Sequence, residues 1–129
     1  MITGLDRLRG IGTATAVCKG ELVKVHLVDG TYELFRAHFS KGPSRTDPEG
    51  RDVKATVGVA NALLRLLDDP GEAVTHLAVA FDNPITSWRN DRFAGYKDGA
   101  DTDPALLAQF DQVEQVVAAL GVTVWSMVR

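Results

Sequence analysis

Hydrophobic and polar positions alternate in blocks along this chain. Leu22-Val23-Lys24-Val25-His26-Leu27-Val28 is a short β-rich run closed by Asp29-Gly30 and reads as a buried strand. Thr31 to His38 has helical character, with Leu34, Phe35 and His38 near one face. Ser40 to Asp52 holds two prolines, two glycines and scattered charges, which predicts a loop. Val53 to Leu67 reads as a helix whose core stripe is Val59, Leu63, Leu66 and Leu67. Thr75 to Phe81 is almost wholly apolar, as a central parallel strand requires, and it too runs into an aspartate, Asp82.

Ile85 to Thr102 is polar and irregular. Asp103-Pro104 is a helix start, with aspartate as cap and proline at the first helical position. The helix is predicted to continue to Leu120, on the stripe Leu106, Phe110, Val113, Val117 and Leu120, and to stop at Gly121. Val122 to Val128 reads as a third strand. Residues 1–21 show neither helical nor alternating periodicity and no secretory apolar core. They are expected to form a flexible leader, with a short helix at 5–11 as the alternative. The order β-α-α-β-loop-α-β predicts a parallel α/β sheet with right-handed crossovers.

Composition narrows the functional classes. The chain has 129 residues, the length of one domain. One cysteine, Cys18, excludes an internal disulfide framework and a cysteine-rich zinc site. An unpaired cysteine and the missing signal sequence point to the cytoplasm. No uncharged apolar run approaches the roughly 20 residues that span a membrane. The net charge of −3 excludes a general polycation. Charge is nevertheless sided: between Asp98 and Val128 there are five acids and no base, so the remainder is net positive. A nucleic acid would avoid the last helix.

Two features carry chemistry. Asp29 and Asp82 each follow an apolar strand, and in open parallel sheets the functional crevice lies beyond the strands' carboxyl ends. Paired carboxylates there suit a hard cation such as Mg²⁺, and two such ions serve phosphoryl chemistry. Each aspartate alone is also ordinary turn or capping chemistry. Beyond Asp82, Arg89, Arg92 and Lys97 are interleaved with Trp88, Phe93 and Tyr96, which suits phosphates and stacked bases. The alternative is an exposed loop pinned by its aromatics. Arg36 could meet a phosphate near Asp29, or be a surface arginine. His26 and His76 read as hydrogen-bonded structural histidines.

The stretches VHLVDGTYELFRAHF, THLAVAFD, SWRNDRFAGYKDG and LGVTVW resemble the N-terminal part of the bacterial 5′→3′ exonuclease and flap endonuclease family, over about residues 22–128. The resemblance implies a PIN-like (resolvase-like), three-layer parallel α/β fold, incomplete at the C-terminus, with a helical arch over about residues 83–103. It implies hydrolysis of DNA phosphodiesters at 5′ ends and flaps with Mg²⁺ or Mn²⁺. Asp29 and Asp82 would be metal ligands. Arg36, Arg89, Arg92, Tyr96 and Lys97 would hold substrate, with Arg36 and Lys97 also serving catalysis. Asp98, Asp101 and Asp103 depart from the basic residues usual after the family's tyrosine-lysine pair. The family's glutamate and paired aspartates would follow the third strand, and none lies between it and Arg129. The chain alone is therefore expected to be inactive or weak, and exposed apolar surface is expected to favour self-association. The alternative is a non-catalytic DNA-binding remnant or truncated gene product. VDGTYELF also resembles the haloacid-dehalogenase phosphatase motif, but the nucleophile position is Leu27, which cannot attack.

Overall fold

A computed structural model describes residues 10–83, 92 and 102–127. The elements are β1 (Ile11–Cys18), β2 (Glu21–Asp29), α1 (Gly30–His38), α2 (Lys54–Asp68), β3 (His76–Phe81), α3 (Pro104–Leu107), α4 (Gln109–Ala119) and β4 (Thr123–Ser126). One sheet holds the four strands in the order β1-β2-β3-β4. β2, β3 and β4 are parallel, with Val28 beside Val79 and Val79 beside Val124. β1 runs antiparallel to β2, so the sheet is mixed.

β1 corrects the expected leader. Ile11–Cys18 pairs with Glu21–Val28 through a two-residue turn at Lys19 and Gly20, both with positive φ. That left-handed pair matches the twist of a hairpin. Seven of the eight β1 residues are exposed, so the strand carries no burial pattern that would have marked it.

β2 buries His26 and Val28 and exposes Leu27, as a period of two requires. Val28, Val79 and Phe81 join one apolar cluster with Leu34 of α1, Val59 and Leu63 of α2, and Phe110, Val113 and Val117 of α4. Among the described residues, the helices and this core lie on one face of the sheet. The other face carries Leu27 and Trp125, which are 43% and 54% exposed. Two of the three expected layers are thus visible here.

Polar contacts lock the helices together. The long helix predicted over 103–120 is divided at Ala108, which serves as C-cap of α3 and N-cap of α4. Gln109, buried at this junction, accepts at Oε1 from the backbone N–H and the hydroxyl of Thr56, both at 3.0 Å. It thereby satisfies a donor in the first turn of α2 that has no partner within that helix. Val53 offers α2 no side-chain cap, so this bond comes from another helix. α1 and α2 meet at Ala37 and Gly58, where an added Cβ on Gly58 would sit 2.7 Å from the Ala37 Cβ. The Lys54 ammonium donates to the carbonyls of His38 and Ser40 at the end of α1. His26 is buried, and its Nε2 lies 3.0 Å from Glu72 Oε2, a structural pairing.

Candidate active site at the strand ends

β2 and β3 are hydrogen-bonded neighbours, with Asp29 in register with Ala80. The two aspartates that follow these strands therefore stand at one edge of the sheet. Asp29 is the N-cap of α1, and its Oδ1 accepts from the Tyr32 N–H at 3.0 Å. One carboxylate oxygen is thus fixed by the helix. The cap and the anion both complement the positive end of α1.

Gly30 makes the close approach possible. A Cβ there would stand 2.5 Å from Phe81 Cε1 and 2.7 Å from Val79 Cγ1. Thr31 then reaches across the strands, and its hydroxyl oxygen accepts from the Asp82 N–H at 2.7 Å. This bond joins the turn after β2 to the turn after β3. The Asp82 carboxylate is exposed and makes no hydrogen bond or ion pair to another described residue. Beside it, Asn83 donates to Asp111 of α4 at 2.8 Å. The sequence reading did not assign Thr31, Asn83 or Asp111. For Thr31 the available signal was a hydroxyl two residues after a strand-terminal aspartate.

The structure thus puts Asp29 and Asp82 at the ends of adjacent strands, with Thr31 bonded to the Asp82 backbone between them. Arg36 stands on another side of α1 from Thr31. It lies five residues beyond Thr31, about 140° around α1 at roughly 100° per residue. It lines a groove between α1 and α2, with its Nη1 3.4 Å from Glu33 Oε2. Glu33 is 5% exposed, and burial pushes its carboxyl above the ordinary range. The Arg36 guanidinium and the Gly10 N–H pull the other way, while Asp29 adds to the rise. Arg92 is exposed. Arg89, Tyr96 and Lys97, and most of the expected arch, lie outside the described residues.

The donor set suits a hard divalent cation. Both groups are carboxylates, one anchored by a backbone N–H and one open, and neither is paired with a base among the described residues. Among the described residues no three histidine, cysteine, aspartate or glutamate side chains gather at one point. Among the described residues, these two carboxylates are the protein groups that could hold a cation here. No helix among the described residues is long and apolar enough to cross a membrane.

Residues 24–129 match the family described as 5′-3′ exonuclease, N-terminal resolvase-like domain. The chain is similar to DNA polymerase I of Mycobacterium leprae, 34% identical over 102 residues, which are 78% of this chain and 11% of that protein. It is 35% identical over 100 residues to DNA polymerase I of Bacillus subtilis, covering 77% of this chain and 11% of the relative. The thermostable DNA polymerase I of Thermus aquaticus is 36% identical over 100 residues, 76% of this chain and 11% of that protein. The chain therefore spans about a tenth of the length of these relatives. No solved structure matches it. With a parallel β2-β3-β4 core, two strand-end aspartates and a match over nearly its whole length, this chain belongs to the 5′-3′ exonuclease N-terminal, resolvase-like domain family.

Proposed function

We propose that this chain supplies part of the metal site of a nuclease that hydrolyses DNA phosphodiesters at 5′ ends and flaps. The observation that carries the reading is the pairing of Asp29 and Asp82 at adjacent parallel strand ends through Thr31. A bound Mg²⁺ or Mn²⁺ would lower the pKa of an attacking water and offset charge on the phosphate. The chain's own part is to present two carboxylates from adjacent strand ends. Asp29 is held by its capping bond and Asp82 by the Thr31 contact to its backbone. Arg89, Arg92, Tyr96 and Lys97 are proposed to meet the substrate, the cations at phosphate and Tyr96 at a base. Arg36 would meet phosphate from the groove side. The working compartment is the cytoplasm, in association with the nucleoid.

Two carboxylates are a weak cage, so the 129 residues alone are proposed to bind Mn²⁺ loosely and to cleave slowly. The test combines Mn²⁺ binding by electron paramagnetic resonance with cleavage of a 5′-labelled flap. Asp29→Asn and Asp82→Asn should each weaken Mn²⁺ binding, while the first keeps the helix cap. Residual cleavage should vanish in Asp82→Asn and under chelation. Cleavage indifferent to both would refute the metal site. The absence of a third ligating group among the described residues favours a second reading, a non-catalytic DNA-binding module. Salt-dependent DNA binding with no metal-stimulated cleavage would select it. Self-association, through the exposed sheet face, would show as concentration-dependent mass.

A further inference from the structure

The groove between α1 and α2 has a volume of about 690 Å³ and lies on a different side of α1 from Thr31. Its walls carry Arg36, Arg45, Lys54 and Arg65, drawn from α1, the loop after it, and both ends of α2. From the groove we infer that it is a backbone track for duplex DNA, separate from the carboxylate pair, which takes phosphates and no bases. This rests on the DNA-directed reading above and adds a surface to it.

Charge pairing sets the sign of the groove. Of its three described acids, Glu72 lies beside His26 and Glu33 beside Arg36, while Asp69 accepts only from the neutral Gly71 N–H and keeps its charge, so the four described bases outnumber the acids by one. Burial moreover favours the uncharged form of Glu33. The Lys54 ammonium bonds two neutral carbonyls and so keeps its whole charge. Arg45 and Arg65 are exposed and make no ion pair with another described residue. The unbalanced charge is cationic. Arg51, outside the groove, differs in being paired with Asp47 and Glu49.

Spacing and chemistry select the ligand. Lys54 and Arg65 are eleven residues apart on α2, close to three full turns, so they share a face. They span about 16 Å along the axis, some five nucleotide steps of one strand at ~3.4 Å each. Among the described residues, no aromatic side chain lines the groove. Single strands are held by stacking on rings, whereas a duplex needs only cations at its phosphates. The walls are regular helices locked by the Ala37–Gly58 contact, as a rigid ligand requires. The acidic α4, with Asp111 and Glu114, is not among the groove's lining elements.

The experiment titrates a fluorescent blunt duplex with the full 129-residue chain in chelator, from low to moderate salt. It compares wild type with Arg45→Gln/Arg65→Gln and with Lys19→Asn/Arg51→Gln, which removes the same charge elsewhere. Circular dichroism checks that all three fold. The groove variant should flatten the slope of log affinity against log salt by about 1.8, two phosphates at about 0.9 each. The control variant should keep the wild-type slope. Equal slopes in both variants, tighter binding of a single strand than of the duplex, or complete displacement by millimolar inorganic phosphate would overturn the inference. Chelator removes the metal from the comparison. Loss of Mn²⁺ binding in the aspartate variants with an unchanged slope would therefore separate the groove from the carboxylate site.

Discussion

The two faces of the sheet have opposite fates. On one, Val28, Val79 and Phe81 are almost fully buried under α1, α2 and α4. On the other, Leu27 and Trp125 stand half in water. Alternation assigns Asp29 to the same side as Leu27, and the Asp82 position to the same side as Ala80. The covered face therefore supplies stability, while the carboxylate pair belongs to the side that carries little of it. Chemistry there can change without disturbing the core, and the core can be probed without touching the carboxylates.

This contrast can be tested from the strongest effect downward. Phe81→Ala removes the largest fully buried side chain, which also seats Gly30, and should cost about 3–5 kcal/mol in denaturant unfolding. Gly58→Ala forces a methyl onto Ala37 and should cost about 1–3 kcal/mol, because both helices must shift. Gln109→Leu leaves the Thr56 N–H buried without an acceptor, at about 1–3 kcal/mol. Leu27→Thr, on the open face, should stay within about 0.5 kcal/mol. A loss as large as that of Phe81→Ala would mean that the open face is covered after all. The smallest effect depends on pH. The Glu33 carboxyl is pushed up by burial, so its folded form favours the proton more than the unfolded chain does. Its contribution is complete below the ordinary glutamate range and is lost as pH rises through the raised value. Glu33→Gln should therefore raise the melting temperature near neutral pH and leave it unchanged in acid.

Much of this was legible in the residues. The runs ending at Asp29 and Asp82 became β2 and β3, and their meeting followed from parallel pairing. The stripe Val59, Leu63 and Leu66 is the buried side of α2. Phe110, Val113 and Val117 are the buried side of α4. β1 escaped because ThrAlaThrAla alternates without contrast in hydrophobicity, and an exposed strand leaves none to read. Only the Lys19-Gly20 pair hinted at a hairpin. Arg36 was read by its distance in sequence from Asp29, whereas its direction depends on how far α1 turns between them. The groove lay deeper still, because it joins residues from Arg36 to Arg65 that no local pattern connects.

The strand order has a consequence for synthesis. Strands lie across the sheet in the order in which they occur in the chain. Each of these four strands can therefore be added at the growing edge, with none threaded between two already paired. The β1–β2 hairpin can form as soon as it leaves the ribosome, α1 and α2 can then fold against it, and β3 and β4 extend the sheet in turn. Because translation proceeds at roughly 5–20 residues per second, each stage has seconds to settle before the next strand arrives. The order permits this sheet to be assembled from β1 to β4.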